Sequence, residues 1–248
     1  MPEPSFATDN DMLYAASRTV FVPGAPFRLD EAYRRAHLPL VAPGHRDVIA
    51  EGRGYVRGVH APSLSLVLPI EAEALASSAP YVSLEAALRA SPFAGKIAWD
   101  LLPKRAERLH ATVAGGVNAP AGRLPDALRE RIGALGGFRY QLRGLFSGNR
   151  NLGRLYLALY PQIRGGENAL APVQRALGAK PNAMFLMGQF NLVDHLTAGE
   201  AQALAALLDQ MRDVVFLTAT ARELCVLESR DDLVLDARFT DRIALRPG

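Results

Sequence analysis

Cysteine is almost missing from this chain: Cys225 is the only one in 248 residues. One thiol excludes an intrachain disulfide and any cysteine-cluster zinc site, and it suits a reducing compartment. Lysine is nearly as scarce. Lys96, Lys104 and Lys180 are the only lysines among 28 basic residues, so the positive charge is almost all arginine. Guanidinium forks fit phosphate and carboxylate groups, although a GC-rich coding sequence favours the same residue for no chemical reason. The excess of charge of either sign is small. At +3 it gives no ground by itself for a nucleic-acid partner. Long apolar runs are missing too, since stretches such as Leu64 to Ile70 fall far short of the roughly 18 residues a membrane span requires. The first residues lack the basic and apolar regions of a secretory leader. The expectation is a soluble, cytoplasmic protein with no membrane contact.

What is present describes a folded chain. A hydrophobic share of 49% against 21% charged residues excludes a disordered or collagen-like chain. The length fits one large domain, or a domain with an extension. Residues 1–62 differ from the rest. Prolines and glycines punctuate them, and one short helix is predicted after Asp30, through His37. They read as an N-terminal extension that wraps the domain formed by residues 63–248.

From Ser63 the periodicity becomes regular. Strands are predicted at Ser63 to Pro69, Arg108 to Ala114, Phe138 to Phe146, Arg154 to Tyr160, Met184 to Leu192, Val214 to Thr220, Arg222 to Glu228 and Val234 to Phe239. Helices are predicted at Tyr81 to Ala90, opened by Ser83, and at Leu124 to Leu135, Leu170 to Leu177 and Ala198 to Met211. Thr197 and Glu200 form a capping box for the last of these. Asp231-Asp232 reads as the turn between the last two strands. The order gives an α+β fold with mostly antiparallel sheet and two halves of similar layout.

The sharpest local feature is Leu109-His110-Ala-Thr112-Val113. On a strand, positions two apart share a face, so His110 and Thr112 point together and away from a core of Leu109, Ala111 and Val113. An imidazole that moves protons near neutral pH, beside a hydroxyl that holds a phosphoryl oxygen, makes a plausible phosphate site. A partly buried histidine with a satisfied hydrogen bond fits the same residues. Other signatures are missing. There is no P-loop, dinucleotide fingerprint, nucleophile elbow or His-x-x-x-His pair, so neither metal nor cofactor is expected.

His110 on its strand, followed by the Gly115-Gly116 turn and a helix, resembles the first half of the two-histidine (2H) phosphoesterase superfamily, which includes 2′-5′ RNA ligase and cyclic phosphodiesterase types. Leu102-Pro103 ahead of the motif, Leu196-Thr197-Ala-Gly-Glu200 after the second motif strand, and Glu223 to Glu228 near the C-terminal hairpin add to the likeness, which covers about residues 63–245. The resemblance implies a bilobal, pseudo-symmetric fold of antiparallel sheets with flanking helices. It also implies a central cleft to which each lobe offers a His-x-Thr strand, and metal-independent action on cyclic or 2′,5′ phosphodiesters of RNA or nucleotides.

The second His-x-Thr is absent. Gln189-Phe-Asn191 is the polar pair with the same spacing, so Gln189 and Asn191 are expected to hold the opposite phosphate oxygens. Amides orient phosphate but transfer no proton at neutral pH. Tyr156 and Arg154, which share a strand face, are expected to assist at a phosphate and a base. His195 reads either as a substitute proton carrier or as an exposed loop residue. Arg139, Gln141 and Arg143 are expected to face water, Trp99 to pack in the core, and Lys104-Arg105-Ala-Glu-Arg108 to be a solvated turn. Three readings follow. One is a phosphodiesterase-like enzyme with His110 and Thr112 as catalytic residues. Another is a degenerate relative that binds a nucleotide or short RNA-like phosphodiester without turnover. The third is a different reaction in the same cleft, built around His110 alone. In each case a monomer is expected.

Overall fold

The computed structural model describes residues 5–247. Eight strands carry the fold: β1 (Val59–Pro69), β2 (His110–Gly115), β3 (Phe138–Ser147), β4 (Arg154–Pro161), β5 (Leu186–Asn191), β6 (Val215–Ala221), β7 (Glu223–Asp231) and β8 (Ala237–Ala244). Six helices complete the description used below: α1 (Glu31–Ala36), α2 (Ala79–Ala90), α3 (Leu101–Arg105), α4 (Asp126–Gly133), α5 (Ala171–Ala176) and α6 (Ala198–Gln210). Alternation dictates the strands, as β3 shows: Phe138, Tyr140 and Leu142 are buried while Arg139 is exposed.

The strands form two antiparallel half-sheets. One runs β8-β7-β1-β2 and the other β5-β4-β3-β6. They join at a single residue pair, Ala111 opposite Met187. An antiparallel pair has a local two-fold axis through its midpoint. That axis relates His110 to Leu186 and Thr112 to Gly188. This is an α+β fold of two similar halves, and the place where β2 and β5 part is where a cleft must open.

Apolar stripes decide how the helices pack. Tyr81, Leu84 and Leu88 bury one face of α2, and Ala201, Leu204, Leu207 and Leu208 do the same for α6. The Thr197 hydroxyl accepts from Glu200 N, and the Glu200 carboxylate accepts from Thr197 N at 2.7 Å, which completes the capping box. α2 starts at Ala79, ahead of the expected Tyr81, and the Ser83 hydroxyl donates back to the Ala79 carbonyl inside the helix.

The last strand also departs from expectation, starting at Ala237 rather than Val234. The Asp231 carboxylate accepts from the backbone N–H of Leu233, Leu235 and Asp236, which ties residues 231–236 into a turn. Val234 sits in that turn at φ 56°, a strained setting for a β-branched residue.

Of residues 1–62, the first four lie outside the described residues. The segment after them contacts the second half-sheet. Phe6 bridges to Gln162, Arg18 to Gly148 and Phe27 to Leu196. The Tyr14 hydroxyl donates to the carbonyls of Leu159 (2.6 Å) and Phe185 (2.9 Å), and the Tyr33 hydroxyl to that of Leu192 (2.6 Å). Both rings are fully buried in the main core. Each removes enough apolar area from water to contribute up to about 4 kcal/mol. Among the described residues no helix is long and apolar enough to cross a membrane.

Candidate functional site

A cavity of about 240 Å³ opens where the half-sheets part. His110 and Thr112 enter it from β2, Arg154 and Tyr156 from β4, and Leu186 and Gly188 from β5. Arg105 and Arg108 come from the segment just before β2, Ser63 and Ser65 from β1, Ser229 and Asp231 from β7, and Asp232 from the turn after it. Four of the six expected residues therefore converge: His110, Thr112, Arg154 and Tyr156.

The protonation of His110 is set by its backbone. Its Nδ1 stands 2.7 Å from the Arg108 carbonyl, which only accepts, so Nδ1 carries the hydrogen. Burial pushes the imidazole down to about 4, against the pull of the Arg108 hydrogen bond, and the Arg154 and Arg105 charges add to the drop. At neutral pH the ring is uncharged and its Nε2 keeps a lone pair. It is a base or an acceptor, not an acid.

Arg154 is placed by its strand and by a missing side chain. It lies opposite Asn191 on β5 and donates from Nη1 to the Asp232 carbonyl at 2.8 Å. Its guanidinium covers Gly188, where a β-carbon would overlap it. Its carbon is 5.3 Å from the centre of the Tyr156 ring, a cation–π distance. Burial raises the Tyr156 phenol, so it stays protonated at neutral pH.

The segment around Arg105 is not a solvated turn, for Arg105 ends α3 and points inward. It is 1% exposed. From the end of α3 its Nη2 donates to the carbonyls of Gln189 (2.5 Å) and Gly188 (3.4 Å), and Nη1 to Asn191 Oδ1 (3.5 Å). Burial, with Arg154 adding, pulls it down to about 9. A signal was available: Arg105 lies four residues after Leu101 and so on the same helix face, and Leu101 is buried. Arg108 caps the group, donating to the carbonyls of Lys104 (2.8 Å) and Ala237 (3.4 Å). Every partner of these three guanidiniums is a neutral oxygen. Among the described residues none forms an ion pair, and each Nε is buried without an acceptor. The two carboxylates in the lining are engaged elsewhere. Asp231 holds its own turn, while Asp232 accepts from the Tyr55 hydroxyl at 3.0 Å and faces His60 Nε2 at 3.5 Å.

Gln189 and Asn191 do not line the cavity. β4 and β5 slip register between Leu155 and Tyr156, which pair with Phe190 and Gly188, so Gln189 has no cross-strand partner. Gln189 has the parity of Met187, which faces the core opposite Ala111, and the bulge separates its face from that of Asn191, which lies opposite Arg154. Gln189 is buried and donates to the Tyr81 hydroxyl at 2.6 Å, and Asn191 is buried and donates to the Tyr33 hydroxyl at 3.3 Å. The residues related to His110 and Thr112 are Leu186 and Gly188.

His195 is neither exposed nor in the cavity. Its Nδ1 accepts from Leu29 N at 2.9 Å and its Nε2 meets Asp47 at 2.7 Å, pinning the N-terminal segment to the loop before α6. Arg143 is half-buried, its guanidinium 3.7 Å over the Tyr160 ring. Trp99 is half-buried under Arg89. Among the described residues no group of three His, Cys, Asp or Glu side chains is placed to hold a metal ion.

No protein-family model matches the chain, and no curated protein matches it. Solved structures do resemble it. One is a conserved protein of unknown function, ATU0111, from Agrobacterium tumefaciens str. C58, at 16% identity over 74% of this chain and 85% of that one, with a TM-score of 0.44. A protein described as a phosphoesterase is 18% identical over 75% of this chain and 99% of its own, with a TM-score of 0.41. LigT of E. coli, in its apo form, is 18% identical with the same coverage and a TM-score of 0.39.

Proposed function

We propose that this chain is a binding module for a phosphate-bearing ligand of the nucleotide or short RNA-like class, and that its cavity has lost efficient turnover. The observation that carries this reading is the pairing across the seam. Where two-fold symmetry would repeat His110 and Thr112 stand Leu186 and Gly188, with the Arg154 guanidinium over the glycine. In-line displacement at a phosphodiester works best with a base on one side and an acid on the other. An arginine holds charge but does not transfer a proton at neutral pH. The unpaired guanidiniums and the hydroxyls of Thr112, Ser63 and Ser65 supply donors for an anion.

A second reading, metal-independent phosphodiester cleavage by one base, is favoured by the neutral His110 with its free Nε2, and by Tyr156 as a protonated hydroxyl in the same cavity. One experiment separates them. The full chain is titrated calorimetrically with a nucleoside 2′,3′-cyclic monophosphate and a 2′,5′-linked dinucleotide, and the same mixtures are followed by ³¹P NMR without metal. Binding without turnover is expected. Turnover abolished by His110→Ala restores the enzyme reading, and no binding by either compound removes both.

A further inference from the structure

The ligand-facing groups allow the class of phosphate to be narrowed, an inference that rests on the binding reading above. The polar part of the lining is mostly donors, His110 Nε2 and the two carboxylates apart. Arg105, Arg108 and Arg154 spend their visible hydrogen bonds on neutral oxygens, and each keeps a buried Nε with no acceptor. Thr112, Ser63, Ser65 and Ser229 add hydroxyls. Asp231 and Asp232 share the lining and offset part of the charge, but their oxygens accept elsewhere, Asp231 from three backbone amides and Asp232 from Tyr55, so neither fills the acceptor positions beside the guanidiniums. A buried cation without a partner is costly, and the cost is relieved by an anion that matches it in charge and in acceptor count.

A phosphodiester brings one negative charge and two terminal oxygens. A phosphomonoester brings close to two charges at neutral pH and three terminal oxygens. The cavity, at about 240 Å³, is also smaller than the roughly 300–1,000 Å³ typical of drug-sized ligands. It fits a phosphoryl end group better than an internal linkage with chain on both sides. We infer that this site selects a terminal phosphomonoester, such as the phosphorylated end of a nucleotide or short oligonucleotide, over a phosphodiester, with Arg154 and Arg105 as the residues that set the preference.

The test is a calorimetric comparison at pH 7.5 and low salt, using the full chain and four probes: a nucleoside 3′-monophosphate, the 2′,3′-cyclic monophosphate of the same nucleoside, the unphosphorylated nucleoside, and inorganic phosphate. The monophosphate is expected to bind about tenfold tighter than the cyclic compound or better, and inorganic phosphate is expected to compete with it. Arg154→Gln is expected to erase the difference between the two nucleotides. Should that variant fail to fold, Arg108→Gln, at the more open edge of the group, is expected to shrink it. Equal binding of the two nucleotides, or tighter binding of the cyclic one, overturns the inference and leaves the binding reading standing. If no phosphorylated probe binds, both fall.

Discussion

Arg154 occupies the space that Gly188 leaves open, and each residue explains the other. A side chain at position 188 would run into the guanidinium, and without the guanidinium the cavity would lose the cation that faces His110. Gly188→Ala is therefore expected to expel Arg154 from the cavity. Because the clash is with the end of a flexible side chain, the fold should survive at a cost of about 1–2 kcal/mol. Phosphate affinity should fall to the level of Arg154→Ala. Calorimetry on both variants, with thermal melts as a folding control, checks this. Unchanged affinity in Gly188→Ala would show that Arg154 does not contribute from this position.

Arg105 carries structure as well as charge. Arg105→Met removes the donor to the Gly188 and Gln189 carbonyls and leaves them buried. We expect a loss of about 2–4 kcal/mol in urea unfolding. Arg105→Lys should restore only part of it, because one ammonium does not reproduce the spread of a guanidinium fork. Full rescue by lysine would argue that only the charge matters.

Acid should weaken the fold through His110. Its folded-state value, about 4, lies below the ordinary 6.5. The unfolded chain thus binds the proton more readily, and stability falls as pH drops from 6.5 toward 4. Fully buried His37, also held well below its ordinary value by burial, acts in the same direction. The effect of His110 alone is up to about 3 kcal/mol. Melts of the wild type and His110→Gln at pH 7 and pH 5 should show the smaller drop in the variant. Equal drops would place the acid sensitivity elsewhere.

Tyr14 ties the N-terminal segment to two strands of the second half-sheet. Tyr14→Phe keeps the ring but leaves the carbonyls of Leu159 and Phe185 without this donor. A loss of about 1–3 kcal/mol is expected, with faster amide exchange confined to residues 6–37 and the strands they contact. A melting temperature equal to wild type would remove the hydroxyl from the account.

The parts of this molecule that were legible in the sequence are those governed by period. Alternation located the strands, and the Thr197 cap with its apolar stripe located α6. The face shared by His110 and Thr112, and the one shared by Arg154 and Tyr156, followed from the same rule, and these four residues meet. Alternation fails wherever one residue is inserted. Gln189 has the parity of Met187, which faces the core opposite Ala111, so alternation itself turns it inward, and the bulge there sets Asn191 opposite Arg154; nothing in Met184 to Leu192 marks which parity faces the cleft or where the slip falls. Arg105 was hidden for a different reason. Charged neighbours on both sides made a solvated turn the natural reading, and only its spacing from Leu101 pointed inward. Asp231 was legible as a turn residue, but its hold on three amides, which delays β8, depends on geometry that composition does not carry.

The strand order has a consequence for how the chain is made. The second half-sheet, β3 to β6, is drawn from one continuous stretch, residues 138–221, and its strands can pair as soon as that stretch has left the ribosome. The first cannot. β1 is synthesised early, yet it lies between β2 and β7, with Val67 set against Cys225. For most of translation one edge of β1 has no partner, and its pairing across so long a loop is slow. The half that carries His110 therefore closes last. Until residues 223–244 are in place, the newly made chain presents an open apolar strand edge to whatever is nearby.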